Sequence, residues 1–153
     1  EWNRVPFGAL WIPGCGGILS LPSGYIYSPY YYGDGKHVEC VWKIETAIHE
    51  HIVLDFYTVN RRMNCRTDYI VIYDGDLYSR QLGRVCSFPF QSYTSTSNIM
   101  TIVLQRQSYD SGDSFSAYYY SIAQGNRFLQ INTLVHIGNF CTTHLRVQYG
   151  GCF

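Results

Sequence analysis

Apolar and polar residues change places at every second position along several runs between Gly24 and Ile122. Val38, Cys40, Trp42 and Ile44 alternate with Glu39, Val41 and Lys43. Ile52, Leu54 and Phe56 alternate with Val53, Asp55 and Tyr57. Met100, Ile102 and Leu104 alternate with Thr101 and Val103, and Phe115, Ala117 and Tyr119 with Ser116, Tyr118 and Tyr120. A period of two sends successive side chains to opposite faces, so each run predicts a strand with one face turned to a core. The β-branched and aromatic stretch Asp68–Tyr73 predicts a further strand that runs into an Asp74-Gly75 turn. Turn residues separate the runs at Gly33-Asp34-Gly35, Asp74-Gly75-Asp76 and Ser111-Gly112-Asp113, while helical periodicity is almost missing. The pattern predicts an all-β fold, a two-sheet antiparallel sandwich with Trp42 and Phe56 inside.

The flanks read differently. Residues 1–14 show no period and hold Trp2, Pro6, Trp11 and Pro13, which predicts an extended N-terminal arm. Beyond the sandwich, at 15–122, the runs Phe128–Ile137 and Leu145–Tyr149 alternate again. They predict a C-terminal β extension over 123–153, a hairpin or the start of a following domain. Composition narrows the function. With 46% hydrophobic residues the chain can bury a core, but it has no apolar run of the ~20 residues that membrane insertion by a helix needs. Eleven basic residues balance eleven acidic ones, so the positive surplus required by nucleic acid is absent.

The cysteines are Cys15, Cys40, Cys65, Cys86, Cys141 and Cys152, with no Cys-x-x-Cys pair. Zinc and thioredoxin-like chemistry need closely spaced ligands or thiols, so neither is expected. An even number at wide spacing predicts disulfides and an oxidising, extracellular compartment. Glu1 does not open a leader-like pattern, so the chain reads as a mature secreted protein or a fragment.

Several segments in order resemble the CUB domain family of extracellular proteins. Cys15-Gly16-Gly17-x-Leu19 resembles the family's opening, and Ser28-Pro29 its first-strand signature. Cys40-Val41-Trp42-Lys43-Ile44, Cys65-Arg66-Thr67-Asp68-Tyr69 with Tyr73-Asp74-Gly75, and Leu82-Gly83-Arg84-Val85-Cys86 resemble its cysteine strands. Ser97-Asn98-Ile99-Met100-Thr101-Ile102 and Phe115-Ser116-Ala117-Tyr118 resemble its last two strands. Within the family the chain looks most like the CUB modules of a mucosal glycoprotein, with the spermadhesins as second relatives. The resemblance implies a jelly-roll-type sandwich with disulfides Cys15–Cys40 and Cys65–Cys86, each worth about 3 kcal/mol on the loop-entropy model. Cys141 and Cys152 are left to staple the C-terminal extension together or to pair outside the chain.

Many CUB domains hold calcium on three acidic side chains, since a hard divalent cation wants charged oxygen ligands. The matching positions here are Asn60, Asp68 and Gln107, so only one charge remains, amid Arg61, Arg62, Arg66 and Arg106. No metal and no cofactor is therefore expected. The arginines around Asp68 suggest instead a surface for carboxylate, sulfate or sialic-acid groups, or simply solvated loop charges. Gly112-Asp113-Ser114 echoes a protease nucleophile segment but lacks the base and orienting acid of a triad. His49-Glu50-His51 would place two imidazoles on one face of an extended segment, without a third ligand. No catalysis is expected.

Tyrosine is the unusual component, at 15 residues. Tyr25, Tyr27, Tyr30, Tyr31 and Tyr32 crowd one segment and Tyr118–Tyr120 another, and alternation lets only about half of each face the core. The remainder would form a protein-binding patch, a platform for sugar rings or a cover for the N-terminal arm. Tyr30, Tyr31, Tyr32, Arg66 and Arg106 are the candidate ligand-binding residues. The expected function is a secreted, non-enzymatic adhesion module for extracellular protein, with self-association open to it. Alternatives are a spermadhesin-like carbohydrate-binding protein and a structural unit of a larger mosaic, zona-pellucida-type glycoprotein. No Asn-x-Ser/Thr glycosylation site occurs.

Overall fold

A computed structural model of the chain describes residues 15–61, 63–87 and 90–125, and the backbone of strands 133–137 and 140–144. The chain divides into two compact units after Ala123. In the first, the alternating runs become long strands: β3 (Val38–Glu45), β4 (Glu50–Val59), β5 (Tyr69–Asp74), β8 (Ile99–Arg106) and β9 (Phe115–Ala123). Four more strands complete it: β1 (Gly17–Leu19), β2 (Ser23–Tyr27), β6 (Arg80–Val85) and β7 (Ser92–Thr94). No helix occurs among the described residues. Strands β1, β2, β6 and β7 lie at sheet edges, where only one neighbour holds them and a strong apolar alternation is not required.

Two sheets result, ordered β1-β3-β8-β5-β6 and β2-β9-β4-β7. All pairings are antiparallel except β1 on β3, where Gly17–Leu19 runs parallel to Trp42–Ile44. The inward faces are those the alternation predicts: Cys40, Trp42 and Ile44 face Ile52, Leu54 and Phe56 in a core closed by Met100, Ile102, Leu104 and Phe115. Phe115 joins the two layers, with its ring centroid 5.5 Å from Trp42 and 5.5 Å from Phe56, edge-on to both. Each such buried side chain contributes on the order of 1.5–3 kcal/mol. Both disulfides implied by the family resemblance are formed, Cys15–Cys40 and Cys65–Cys86.

The alternation misleads at some outer positions, Val53 among them, which is buried. Thr101 and Val103 should face water, yet both are buried, at 0% and 5% exposure. The turn after β5 folds back over the outer face of the five-stranded sheet, and the Thr101 hydroxyl donates to the Gly75 carbonyl at 2.7 Å. Tyr69, Tyr73 and Arg84 on neighbouring strands wall the same face.

In the second unit, β10 (Thr133–Ile137) pairs antiparallel with β11 (Phe140–His144), with His136 opposite Cys141. The first strand falls inside the run Phe128–Ile137. The second precedes the expected Leu145–Tyr149, which lies outside the described residues. So do the N-terminal arm at 1–14, Arg62 and Cys152, and the Cys141 side chain.

Candidate functional site

The loops that follow β4 and β8 meet at one end of the sandwich. Asn60 donates its Nδ2 hydrogen to the Asp113 carbonyl at 2.8 Å, and its backbone N–H bonds the Ser114 carbonyl at 2.9 Å. Asp68 enters the same end fully buried. Its Oδ1 accepts from the backbone N–H groups of Gln107 and Ser108, both at 2.9 Å. The side chain of Gln107 points away, exposed.

Arg106 corrects the expectation of an arginine surface. It is 0% exposed, so it cannot present its guanidinium to a ligand. Nη1 donates to the Gly112 carbonyl at 2.7 Å and to Ser114 Oγ at 2.8 Å, and Nη2 to the Asp110 carbonyl at 2.9 Å. Nε stands 3.7 Å from Asp68 Oδ2, and the Tyr31 ring covers the guanidinium at 4.8 Å. Tyr31 is itself 4% exposed and donates its hydroxyl hydrogen to the Lys36 carbonyl at 2.9 Å, so it too is structural. Arg66, Tyr30 and Tyr32 are exposed, the two tyrosine rings edge-on at 5.4 Å.

A calcium cage does not fit these residues. Of the three positions only Asp68 is charged, and one of its oxygens is occupied by two N–H groups while the other faces a guanidinium. Arg106 collects what a cation would collect: a carboxylate, two carbonyls and a hydroxyl. Among the described residues, no three His, Cys, Asp or Glu side chains cluster in a way that could hold a metal ion. The His49-Glu50-His51 reading also changes, since His49 sits in a left-handed turn (φ 69°) and the segment is not extended through it. Ser114 is a buried acceptor for Arg106, and its backbone N–H donates to Ser28 Oγ at 2.6 Å, which ties the Gly112-Asp113-Ser114 loop to the Ser28-Pro29 segment.

Two carboxyls with buried side chains are shifted by this architecture. Burial pushes Asp68 up, but Ser108, the backbone N–H groups of Gln107 and Ser108, and Arg106 outweigh it and hold it below the usual carboxylate range. For Asp74, burial is likewise outweighed by the Thr96 backbone N–H at 2.7 Å, by Arg80 at 2.6 Å and by the Thr96 hydroxyl. A carboxyl with a depressed folded pKa contributes its full stability above the unfolded value, about 3.9, and loses it as pH falls through the folded value. Urea unfolding should therefore show wild type exceeding Asp74→Asn in stability at pH 7, with the gap closing as pH drops below about 4. A gap that holds constant to acid would contradict this account.

The opposite surface feature is aromatic. On the outer face of the four-stranded sheet, register places Tyr25 opposite Tyr118, Tyr118 opposite Asp55 and Asp55 opposite Ser92, one row across all four strands. Tyr120, two residues on, pairs with Ser23 and Val53. The Tyr25 ring lies 4.8 Å from Tyr118 and 6.0 Å from Tyr27, and Tyr118 lies 6.0 Å from Tyr120. Tyr57 stands out at the bulge in β4, its ring 6.4 Å from Phe90. Tyr25, Tyr27 and Tyr57 remain 61%, 62% and 50% exposed. The four-stranded sheet thus carries its own row of tyrosines, Tyr25, Tyr27, Tyr118 and Tyr120, while Tyr30 and Tyr32 are exposed beyond β2 and Tyr31 is buried. Parity around the buried Ile26 and Tyr119 was the available signal, and the alternation of Tyr57 with Ile52, Leu54 and Phe56 likewise set it outward.

The first unit is thus a β-sandwich closed by two disulfides, with one loop end filled by its own Arg106. A family model for the CUB domain matches residues 15–119, and the chain belongs to that family. It is 34% identical to the carbohydrate-binding protein AWN of Sus scrofa over 124 residues, 81% of this chain and 73% of that one. It is 36% identical to the CUB and zona pellucida-like domain-containing protein 1 of Homo sapiens over 121 residues, 75% of this chain but only 20% of that protein. The crystal structure of the MASP-1 CUB2 domain bound to Ca2+ shares the fold, with a TM-score of 0.57 at 22% identity, covering 69% of this chain and 99% of that one.

Proposed function

We propose that the chain is a non-enzymatic, extracellular recognition module that holds a protein partner on the tyrosine face of its four-stranded sheet, without calcium. The observation that carries this reading is the collection of Tyr25, Tyr27, Tyr57, Tyr118 and Tyr120 at the surface of one sheet. Tyrosine supplies large contact area and a hydroxyl for little conformational entropy, which is why it dominates binding surfaces. The loop end, where an ion would bridge partner and domain, is filled by the chain's own Arg106. The test is retention of proteins from extracellular fluid on the immobilised chain in the presence of a chelator. Retention should survive the chelator and fall by roughly 30-fold or more in Tyr25→Ala/Tyr118→Ala, as loss of a hot spot requires, with unfolding of the variant unchanged. Retention that the double substitution leaves intact would overturn the reading.

A second reading is carbohydrate binding. It is supported by the relative whose name states that activity, and by the ability of tyrosine faces to stack against the C–H surface of a sugar ring. A glycan array distinguishes it from the first.

A further inference from the structure

The other sheet carries a concavity that neither reading uses. On the outer face of β3, β8, β5 and β6, cross-strand register aligns Glu39, Gln105 and Tyr69 in one row and Val103, Val71 and Arg84 in the next. In a third row Thr101, Tyr73 and Gln81 stand side by side. Over this face the turn between β5 and β6 brings Tyr78, which adopts a left-handed conformation (φ 67°) that sets its ring 6.2 Å from Tyr73 and nearly perpendicular to it. All of these except Thr101, together with Leu77, line a groove of about 360 Å³. That lies at the small end of the range for small-molecule sites, about 300–1,000 Å³.

We infer that this groove is a binding site for a neutral saccharide, one or two pyranose rings in size. Its chemistry is that of a polyhydroxylated ring's complement. The apolar part of the lining is Val71, Val103 and the half-buried Leu77, a minority among polar side chains. Tyr73 and Tyr78 form a corner of two rings, so a sugar can lay its C–H face on one and meet the edge or hydroxyl of the other. Donors and acceptors make up the rest of the lining: the carboxamides of Gln81 and Gln105, three tyrosine hydroxyls, Arg84 and Glu39. The last two are pre-positioned. Arg84 lies 3.7 Å over the Tyr69 ring and donates Nη2 to the Cys65 carbonyl at 2.9 Å, while Gln105 donates to the Glu39 carboxylate. One cation and one carboxylate line the groove, so it carries no net charge to select an acidic ligand. Side chains already held by their neighbours lose little freedom when a ligand arrives, which favours binding.

This inference rests on the carbohydrate reading and gives that activity a location apart from the tyrosine face. The full chain is applied to an array of neutral, sialylated and sulfated glycans, and the strongest neutral saccharide is then titrated by calorimetry and by amide shifts in NMR spectra. Binding should persist at high salt, and the shifted amides should be those of residues 69–84 and 101–105. Tyr78→Ala and Gln81→Ala alter exposed side chains that the fold does not need, and each should weaken binding by about tenfold. Tyr25→Ala/Tyr118→Ala should leave it unchanged. If the tyrosine-face variant abolishes saccharide binding and the groove variants do not, the site is wrong while the carbohydrate reading stands. If only sulfated glycans bind, and high salt removes them, the neutral-ligand assignment fails. If no glycan binds, the inference and the carbohydrate reading fail together, and the protein-binding reading is untouched.

Discussion

Arg106→Met is expected to cost the folded protein about 3–5 kcal/mol, the loss that follows when one member of a buried ion pair is removed. The substitution keeps most of the side chain's volume and deletes its charge. Asp68 would then be a buried carboxylate whose Oδ2 faces no cation. The carbonyls of Asp110 and Gly112 and the hydroxyl of Ser114 would lose the donor that gathers them. Because these groups belong to the loop between β8 and β9, the damage should appear as local loosening there before global unfolding. Arg106→Lys restores charge but not the planar fork, and so should recover only part of the loss. Asp68→Asn combined with Arg106→Met should cost less than the two single changes added together, because the double variant leaves no uncompensated charge. Urea denaturation of the wild type and the four variants measures these losses. An Arg106→Met variant within about 0.5 kcal/mol of wild type would show the guanidinium to be dispensable.

Gly16→Ala should cost about 3 kcal/mol or more, through backbone geometry and not through any lost contact. Gly16 has φ +92°, which L side chains rarely adopt, and a Cβ there would lie 2.4 Å from the Val41 carbonyl oxygen. The obstacle is the backbone of a central strand, so no rotamer change relieves it. Strand β1 would have to withdraw from β3, and with it Cys15, whose Cα lies 4.8 Å from that of Cys40. The variant should therefore show both a lower unfolding midpoint and free thiol in a titration of the unreduced protein. Gly17→Ala is the control for space alone. It shares a positive φ, at +139°, but meets nothing within 4 Å, and should be the milder of the two. Equal stability of the two variants would place the cost in the φ angle and remove the close approach from the explanation.

The long strands were legible because each had to bury one face. Trp42, Ile44, Leu54, Phe56, Ile102, Leu104 and Phe115 announce the core by position alone, since a shift of one residue would turn all of them to water. The edge strands were less visible. β2 and β6 mix Gly, Arg, Gln and Tyr, and a strand held on one side tolerates such a composition. The site residues were legible only as a residue type. Tyrosine abundance pointed to a contact surface, but parity gave the face of each tyrosine only inside a strand. Tyr30–Tyr32 lie beyond β2, where the period stops, and there Tyr31 turned inward to cover Arg106.

Local chemistry along the chain therefore determined the all-β class and the inward residues, each of which depends on neighbours a few positions away. The poverty of calcium ligands at Asn60 and Gln107 was legible only through the family resemblance. Tertiary structure alone decided that Arg106 is an internal cation and not a surface one, that Tyr25 meets Tyr118, and that Tyr69, Tyr73, Tyr78 and Arg84 enclose a groove. Tyr25 and Tyr118 come together through strand register across widely separated segments, Arg106 is enclosed by a loop and by Tyr31, and the groove depends on a turn that folds back over a sheet. Such arrangements follow from the packing of the whole sandwich, which no short stretch of residues encodes.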